Sequence, residues 1–391
     1  MDIAFHYFAI KSLAGLAGFD EDEAQTIAEY SQLVDDFDYT RYWHCTNVPD
    51  YIKNSDQYDL CVFKVLFNPV QTGFLHGGLT DAVDYVYLAL ERGQRFTCAP
   101  FHFIYQDKDQ IDKKEYRVSP ASLTEDSIIT DLLVQARNEL LDPYASQMKR
   151  RKALMKVGML LHIFADTVAH QMFSGFNADV NAVELMGVTN NITENDETPK
   201  YRSFLAKFLD MLQGVIPRLI PAIGHMMLGH IPDLTHLSFL VRYKDEDGEE
   251  QFYARSNTSS FIAVSKTILS YLCACNQREN VSEDEWREIE KKLRNSFLTD
   301  ISEYSDEEKI VEHLIGVWNE QFPEYTYQYS SKEIKKSFVL TTQSLENSVN
   351  LEGIPEALAP LSSTMASDDF YLFNVNADEV LIALYGSQPR N

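Results

Sequence analysis

The chain is poor in cysteine and has no glycine- or proline-rich tract. Its five cysteines are irregularly spaced, and Cys273-Ala-Cys275 lacks the second pair that a zinc knuckle needs. The 16 Gly and 13 Pro among 391 residues exclude a collagen-like repeat or a low-complexity chain. We therefore expect a globular protein whose thiols are reduced and mostly buried.

Basic residues are also scarce. The chain has 34 Lys and Arg against 59 Asp and Glu, which gives a net charge of −25. Proteins that bind long nucleic acids usually carry a positive surface that displaces counterions from the phosphates. A long nucleic acid is therefore a poor candidate partner, although bound divalent cations would reverse the sign of the charge locally.

Long apolar runs are missing as well. The richest stretch, residues 215–241, is interrupted by Arg218, Asp233 and three histidines, whereas a membrane span needs about 20 apolar residues. The opening Met1-Asp2 places an acid where a secretory signal has basic residues. We expect no signal peptide, no transmembrane segment and a cytoplasmic location.

Helical periodicity is the main pattern that is present. Asp20 followed by Glu23 is typical of a helix start. Apolar residues recur with helical spacing at 79–92, 127–142, 151–174, 202–216 and 260–275, and two amphipathic helices are predicted from Ser282 to Arg294 and from Ser305 to Trp318.

The clearest β pattern is one hairpin over 237–255 with its turn at 244–250, and the polar stretches 106–116 and 189–201 are predicted to be surface loops. We predict a mainly α fold, a helical bundle with a small β-hairpin insertion. Residues 1–270 would form a helical catalytic domain. Residues 271–391 would form a helical C-terminal extension packed on it, with no assigned role.

One segment combines histidines and an acid at helical spacing. His162, Asp166 and His170 are four residues apart, so they lie along one stripe of a helix whose other residues are almost all apolar. A buried carboxylate beside imidazoles must be paired, neutralised or bound to a metal ion. Imidazole and carboxylate are common zinc ligands. The alternative is a hydrogen-bonded core pair, with His170 capping a carbonyl.

Other segments offer further ligands, and each of them taken alone is compatible with a structural role. Acids at the C-terminal end of a helix, as at residues 35–38, are unfavourable because the helix dipole is negative there. A bound cation would explain their position. The candidate ligands are Asp2 and His6 near the N-terminus, Asp35 and Asp36 at the end of a helix, His102 between aromatic residues, and His225, His230, Asp233 and His236 in a segment broken by Gly229 and Pro232. His44, His76 and His313 have no such neighbours.

The order of these residues resembles that of the zinc-dependent phospholipases C and the single-strand-specific zinc nucleases, which form one superfamily. The resemblance rests on His6, Asp35, His102 and His162-x3-Asp166, followed by a later His/Asp group. The opening Met-Asp-Ile-Ala-Phe-His-Tyr and the hairpin ending Arg255-x-Asn257 are also similar to an uncharacterised bacterial family that we associate with this superfamily. The similarity covers about residues 1–270.

The resemblance implies a mainly helical fold with a phosphodiesterase centre of one to three zinc ions. Asp166 would bridge ions, and Asp35 would orient the attacking hydroxide. One ion would be held by Asp35, His102, His162 and Asp166, and a second by His6 with Asp2. A third would be held by His225 with His230 or Asp233, together with His170. Asp36 is a further candidate ligand. Secreted members of the superfamily use the α-amino group exposed by signal cleavage, and here an Asp2 oxygen would replace it.

We therefore expect a metal-dependent hydrolase of a phosphodiester or phospholipid-like substrate. The substrate would be a small molecule or a lipid head group, with single-stranded nucleic acid as a less favoured choice. One alternative is an HD-like nucleotide phosphohydrolase, although these enzymes normally show an adjacent His-Asp pair, which this chain lacks. The other is a non-catalytic metal-binding scaffold that serves a protein partner.

Overall fold

The computed structural model describes residues 1–39, 42–54, 60–62, 66–73, 90–107, 113–215, 223–302, 304, 306–345 and 362–387, with the backbone alone at 208–215. His76 and most of the predicted helix 79–92 lie outside the described residues, as does part of the predicted loop 106–116.

Helices carry most of the structure, and the long ones lie close to the predicted positions. Asp20 caps the second helix by accepting a hydrogen bond from the Glu23 amide at 2.8 Å, as expected. The α-helices are α1 Ile10–Leu16, α2 Glu21–Asp36, α3 Asp50–Lys53, α4 Glu91–Gly93, α5 Ala99–Phe101, α6 Ile128–Leu140, α7 Gln147–Ala169, α8 Thr198–Val215, α9 Asn257–Cys275, α10 Glu283–Phe297, α11 Glu307–Gln321, α12 Ser331–Ser337 and α13 Asp368–Tyr385. Shorter helical turns are the π-helices Ala4–Ala9 and Gln94–Cys98 and the 3-10 turns Asp179–Asn181 and Met226–Leu228.

Two β-sheets accompany the helices. The strands are β1 Trp43–Cys45, β2 Cys61–Val62, β3 Leu66–Phe67, β4 Glu184–Asn190, β5 Leu237–Lys244, β6 Glu250–Ser256, β7 Val339–Ser344 and β8 Ser362–Ala366. One sheet has the order β2-β3-β1-β8-β7, and the other has the order β4-β5-β6. All pairs are antiparallel except β1 with β8.

The expectation of a mainly α bundle is wrong, because the protein is mixed α/β. Over the described residues 53% are helical and 13% are in strands. The predicted hairpin is present as β5 and β6, but β4 pairs with β5 and makes a three-stranded sheet. Strands of two or three residues, such as β1 to β3, are too short to show an alternating pattern in the sequence.

The C-terminal part of the chain is joined to the N-terminal part through a shared sheet. β8 pairs with β1 through His44↔Ser363 and Cys45↔Thr364. In addition, the Val70 amide donates to Asn374 Oδ1 at 2.7 Å. The described residues after 270 therefore contact the preceding part, and they contribute the strands β7 and β8 as well as helices.

Helices α2 and α7 approach each other closely at a glycine. A Cβ atom added to Gly158 would lie 2.2 Å from the Ile27 carbonyl oxygen. Asp35 lies two turns beyond Ile27, and Asp166 lies two turns beyond Gly158, so the close approach is continued to the ends of both helices. The glycine thereby sets the spacing of two helices that carry Asp35 and Asp166 in their last turns.

Helix α9 is long and apolar enough, by length and composition, to span a membrane. Most of its apolar window is buried inside the protein, and a core helix of a globular protein passes the same test. The expectations of no transmembrane segment and of a cytoplasmic location stay predictions.

Substituting Gly158 tests the close approach of α2 and α7. We expect Gly158→Ala to lower the free energy of unfolding by about 1–3 kcal/mol, because its Cβ can be accommodated only by moving backbone. Urea unfolding would measure the change. Gly316→Ala is the matched control, because that helical glycine has open space around it and the change should stabilise the protein by about 0.5–1 kcal/mol. A Gly158→Ala protein at least as stable as the wild type would contradict the packing argument.

Candidate metal centre

The N-terminal segment brings two nitrogen donors into the protein core. The Met1 α-amino group lies 2.6 Å from Asp166 Oδ1 and 3.4 Å from Asp233 Oδ1. His6 Nε2 lies 3.1 Å from the same Asp166 oxygen. His6 belongs to the π-helix Ala4–Ala9, a rare conformation that is often found at functional sites.

Helix α2 ends in two acids whose side chains diverge. Asp35 Oδ1 lies 3.7 Å from both His102 Nδ1 and His162 Nε2. Asp36 instead accepts a hydrogen bond from the Tyr329 hydroxyl. Successive residues of a helix point about 100° apart, so the two carboxylates have different main partners, although Gln32 Nε2 donates to both. Asp36, a predicted ligand, therefore lies outside the donor groups.

Helix α7 supplies two almost fully buried donors. The side chains of His162 and Asp166 are 0% and 1% exposed, and His162 Nε2 lies 3.2 Å from Asp166 Oδ2. The helix ends at Ala169, and His170 is the capping residue that follows it. His170 Nε2 lies 3.2 Å from Asp233 Oδ1. The predicted stripe of donors therefore continues to the end of the helix, where His170 lies beside Asp233 and also 3.6 Å from Asp166 Oδ2.

His102 reaches the same place from a second irregular helix. The π-helix Gln94–Cys98 precedes it, and the amides of His102 and Phe103 both donate to the Cys98 carbonyl at 3.1 Å. His102 Nδ1 lies 3.3 Å from Asp166 Oδ2. Phe103 stacks on the His170 ring with 4.3 Å between ring centroids, so one short segment supplies a donor and packs on another.

The last donors come from the turns that follow Gly224. Gly224 has a φ of +54°, and a Cβ there would lie 2.3 Å from the Phe103 ring, so only glycine fits. His225 Nε2 lies 3.4 Å from Asp233 Oδ2. His230, predicted as an alternative ligand, is exposed and is absent from the donor groups found among the described residues. His236 is buried elsewhere, 3.4 Å from Asp300.

These contacts define groups of His and Asp residues that could bind a metal ion. We name them by their position. The tetrad is Asp35, His102 and His162 together with Asp166, whose Oδ2 lies beside both histidines. The terminal group is His6, His162 and Asp166, with the Met1 amine beside it, and the turn group is His170, His225 and Asp233. Asp166 belongs to two groups, because Oδ2 faces the tetrad and Oδ1 faces the terminal group.

Five donor–donor distances in the tetrad are close to those of a tetrahedral coordination shell. The donor atoms His102 Nδ1, His162 Nε2 and Asp166 Oδ2 are 3.2–3.3 Å apart. Asp35 Oδ1 lies 3.7 Å from each of the two nitrogens. Ligands about 2.0–2.1 Å from a tetrahedral zinc ion are about 3.3–3.4 Å from one another. The spacing of these donors is therefore compatible with a zinc ion at the tetrad.

Backbone carbonyls orient three of the imidazoles. His102 Nε2 lies 2.8 Å from the Thr72 carbonyl oxygen, His170 Nδ1 lies 2.5 Å from that of His102, and His225 Nδ1 lies 2.8 Å from that of Gly229. A carbonyl only accepts hydrogen bonds, so each of these nitrogens carries the proton. The other nitrogen of each ring faces a carboxylate with its lone pair, an arrangement that is favourable only if a second proton or a metal ion lies between them.

The pKa values of two histidines favour a metal ion over a second proton between the imidazole and the carboxylate. Burial, together with the neighbouring His162 and the Met1 amine, lowers the pKa of His6 to about 3. Burial also lowers the pKa of His225 to about 4, although Asp233 opposes the shift. Both imidazoles are therefore neutral at pH 7 and have a lone pair for a metal ion, which is the form that ligates metals.

The acids keep their charge despite their burial. Burial alone would raise the pKa of Asp166, but His170, the Met1 amine and His162 outweigh it and hold the pKa well below its usual range. The pKa of Asp233 is likewise held well below its usual range, because His225 and the amine outweigh burial. The carboxylates are thus anionic, and they are available to a cation.

Eight of the twelve candidate ligands come together and four do not. Asp2 is the fourth exception, because its Oδ1 accepts a hydrogen bond from the Ala4 amide at 3.1 Å and is in none of the donor groups. The Met1 amine lies beside Asp166 instead, and Asp166, Asp233 and Asp35 raise its pKa to about 11 against the effect of burial, so it is an ammonium group that donates to Asp166. The signal that could have identified the amine was the superfamily's own use of its α-amino group.

Comparison with known proteins gives the family but no activity. Residues 1–385 match a family of unknown function, DUF6765. The chain belongs to this family. No curated protein and no solved structure matches the chain. The resemblance of this DUF6765 member to the zinc phospholipases and nucleases therefore stays a prediction that rests on its own residues.

The adjacent acids Asp35 and Asp36 offer a matched test of the tetrad. Chelator-treated wild-type protein should show a rise in melting temperature on addition of Zn²⁺, because an ion that binds only the folded state stabilises it. Loss of a hydrogen bond that supports a metal ligand weakens metal binding by about 10–100-fold. We expect Asp35→Asn, which alters a ligand itself, to weaken Zn²⁺ binding by at least this factor. Asp36→Asn should respond as the wild type does. The assignment is wrong if Asp36→Asn loses the response and Asp35→Asn keeps it.

Proposed function

We propose that this protein is a zinc-dependent phosphodiesterase that acts on a small or lipid-head-group phosphodiester. The observation that carries the proposal is that imidazoles with one nitrogen held by a backbone carbonyl direct the other nitrogen at buried carboxylates. His225 facing Asp233 is the plainest case, since a second proton on this ring is disfavoured. A metal ion between the two satisfies both groups.

Zinc fits the donor set better than the other common ions do. The groups consist of imidazole nitrogens and carboxylate oxygens, whereas Mg²⁺ and Ca²⁺ prefer oxygen ligands. The donor spacing in the tetrad is also compatible with tetrahedral coordination, which zinc favours. Sharing of Asp166 between the tetrad and the terminal group supports a centre of more than one ion.

The charge of the centre explains how an acidic protein could take an anionic substrate. Asp35, Asp166 and Asp233 contribute three negative charges, and two divalent ions would leave this set with a net charge of +1. The rest of the surface, in a chain of net charge −25, would repel a long polyanion. A compact, singly charged phosphodiester is therefore favoured over a polymer.

The exposed side of the centre indicates where substrate would enter. Among the donor side chains, Asp35 is the most exposed at 24%, while those of His162 and Asp166 are at most 1% exposed. Bound zinc supplies a Lewis acid for a phosphoryl oxygen and a water of lowered pKa. Asp35, whose pKa is lowered by His162, His6 and His102 against the effect of burial, is ionised and could accept a hydrogen bond from the attacking water. Asp166 would hold the donor groups at a fixed separation.

Hydrolysis of bis(4-nitrophenyl) phosphate by the zinc-loaded protein tests the proposal. We expect turnover that a chelator abolishes and zinc restores. Asp35→Asn should lower kcat by about 100-fold or more, because it removes the acceptor that orients the water. Asp36→Asn should keep wild-type activity, since the amide oxygen of the new side chain can still accept from the Tyr329 hydroxyl.

The other outcomes identify the alternatives. Zinc-loaded protein that releases phosphate from nucleotides and leaves phosphodiesters intact would indicate a nucleotide phosphohydrolase. Protein that binds zinc but hydrolyses neither bis(4-nitrophenyl) phosphate, glycerophosphocholine nor a dinucleotide would be a metal-binding scaffold. Hydrolysis of single-stranded oligonucleotides in preference to glycerophosphocholine would overturn the choice of a small substrate.

A further inference from the structure

A buried arginine lies at the end of strand β6, behind the turn group. Arg255 uses four of its N–H groups on backbone and amide oxygens: the carbonyls of Val168, Ala169 and Pro232, and Asn257 Oδ1. Its guanidinium also lies over the Phe239 ring, 4.9 Å from the centroid. Removing a cation from water in this way costs free energy. A buried arginine therefore indicates that its contacts have a structural or functional role.

On one side, Arg255 holds the end of helix α7. Its Nη1 donates to the Val168 and Ala169 carbonyls, each at 2.6 Å. These carbonyls belong to the last turn of the helix, where no further backbone amide is available and where the helix dipole favours a positive charge. The next residue is His170, so the position of the guanidinium bears directly on that ligand.

On the other side, Arg255 and Asn257 hold the turn that carries Asp233. Arg255 Nη2 donates to the Pro232 carbonyl at 2.5 Å. Asn257 Nδ2 donates to the carbonyls of Ile231 and Leu234 at 2.7 and 2.8 Å. The carbonyls on both sides of Asp233 are therefore held, and Asn257 Oδ1 accepts from Arg255 Nε at 2.8 Å, which joins the two side chains into one unit.

We propose that Arg255 and Asn257 are positioning residues that build the turn group. They connect the backbone next to His170 with the backbone next to Asp233, whose side chains lie 3.2 Å apart. No hydrogen bond or ion pair of Arg255 found among the described residues reaches a member of the tetrad. This proposal rests on the proposed function to the extent that the turn group must bind an ion.

A lysine in this place could not do the same. The guanidinium is a flat fork whose five N–H groups diverge in fixed directions, whereas an ammonium group is a point charge at the end of a flexible chain. Arg255→Lys keeps the positive charge near Asp233 but loses the bridge between the two backbone segments. It therefore separates the effect of geometry from the effect of charge.

Zinc titration of chelator-treated full-length protein tests the proposal. We expect Arg255→Lys to bind one fewer tight zinc ion than the wild type, with the affinity of that ion lowered by about 10–100-fold. Arg202→Lys is the matched control, because Arg202 also donates to a backbone carbonyl, that of Leu185, but far along the chain from the donor groups. Asn257→Ser, a milder change that loses part of the same bridge, should weaken the same ion if Arg255→Lys fails to fold.

Combining variants shows which ion is affected. In a His225→Gln background the turn group is already damaged, so Arg255→Lys should change zinc binding little further. In an Asp35→Asn background it should still weaken the binding of one ion, because no contact of Asp35 found among the described residues reaches the turn group. A merely structural role of Arg255 would lower zinc binding equally in both backgrounds, and this result would overturn the proposal.

The failure of this proposal can be told from the failure of the proposed function. Wild-type protein that binds zinc, with Arg255→Lys indistinguishable from Arg202→Lys, would overturn the positioning role alone. Wild-type protein that binds no zinc would overturn both. Loss of one ion in Arg255→Lys from a protein that hydrolyses no phosphodiester would support the positioning role and overturn the enzymatic one.

Discussion

The carboxylate of Asp166 is the constraint on which the site depends. It is almost fully buried, and an uncompensated charge in such a place would cost several kcal/mol. Compensation comes to each oxygen from a different direction: Oδ1 faces the Met1 amine and His6, while Oδ2 faces His102 and His162. Segments that are far apart in the chain therefore have to meet at this residue.

How well the site could be predicted from the sequence depends on how local each geometric relation is. His162 and Asp166 lie one helical turn apart, so their common face followed from the period of the helix alone. The choice between Asp35 and Asp36 depends on the rotation of α2 about its axis, which packing against α7 sets at Gly158. No pattern within α2 contains that information, and both acids were predicted as ligands.

The fold class was predicted wrongly for a related reason. Helices such as α2 and α7 show their period over many residues, whereas β1 pairs with β8, a strand from near the other end of the chain. A parallel pair of this kind leaves no turn signal in the sequence, unlike the β5–β6 hairpin, which was found. The helical part of the prediction was therefore close, and the sheets were missed wherever their pairing is not local.

The same non-local packing gives the C-terminal residues a part in the site. Tyr327 exchanges a hydrogen bond of 2.7 Å with Ser12, and Trp318 stacks on Phe8, so both hold the N-terminal helical segment that carries His6. Tyr329, as noted, binds Asp36 at the end of α2. Since donors from the first and middle parts of the chain are held by its last part, an ion bound at Asp166 would stabilise the whole fold and not one segment of it.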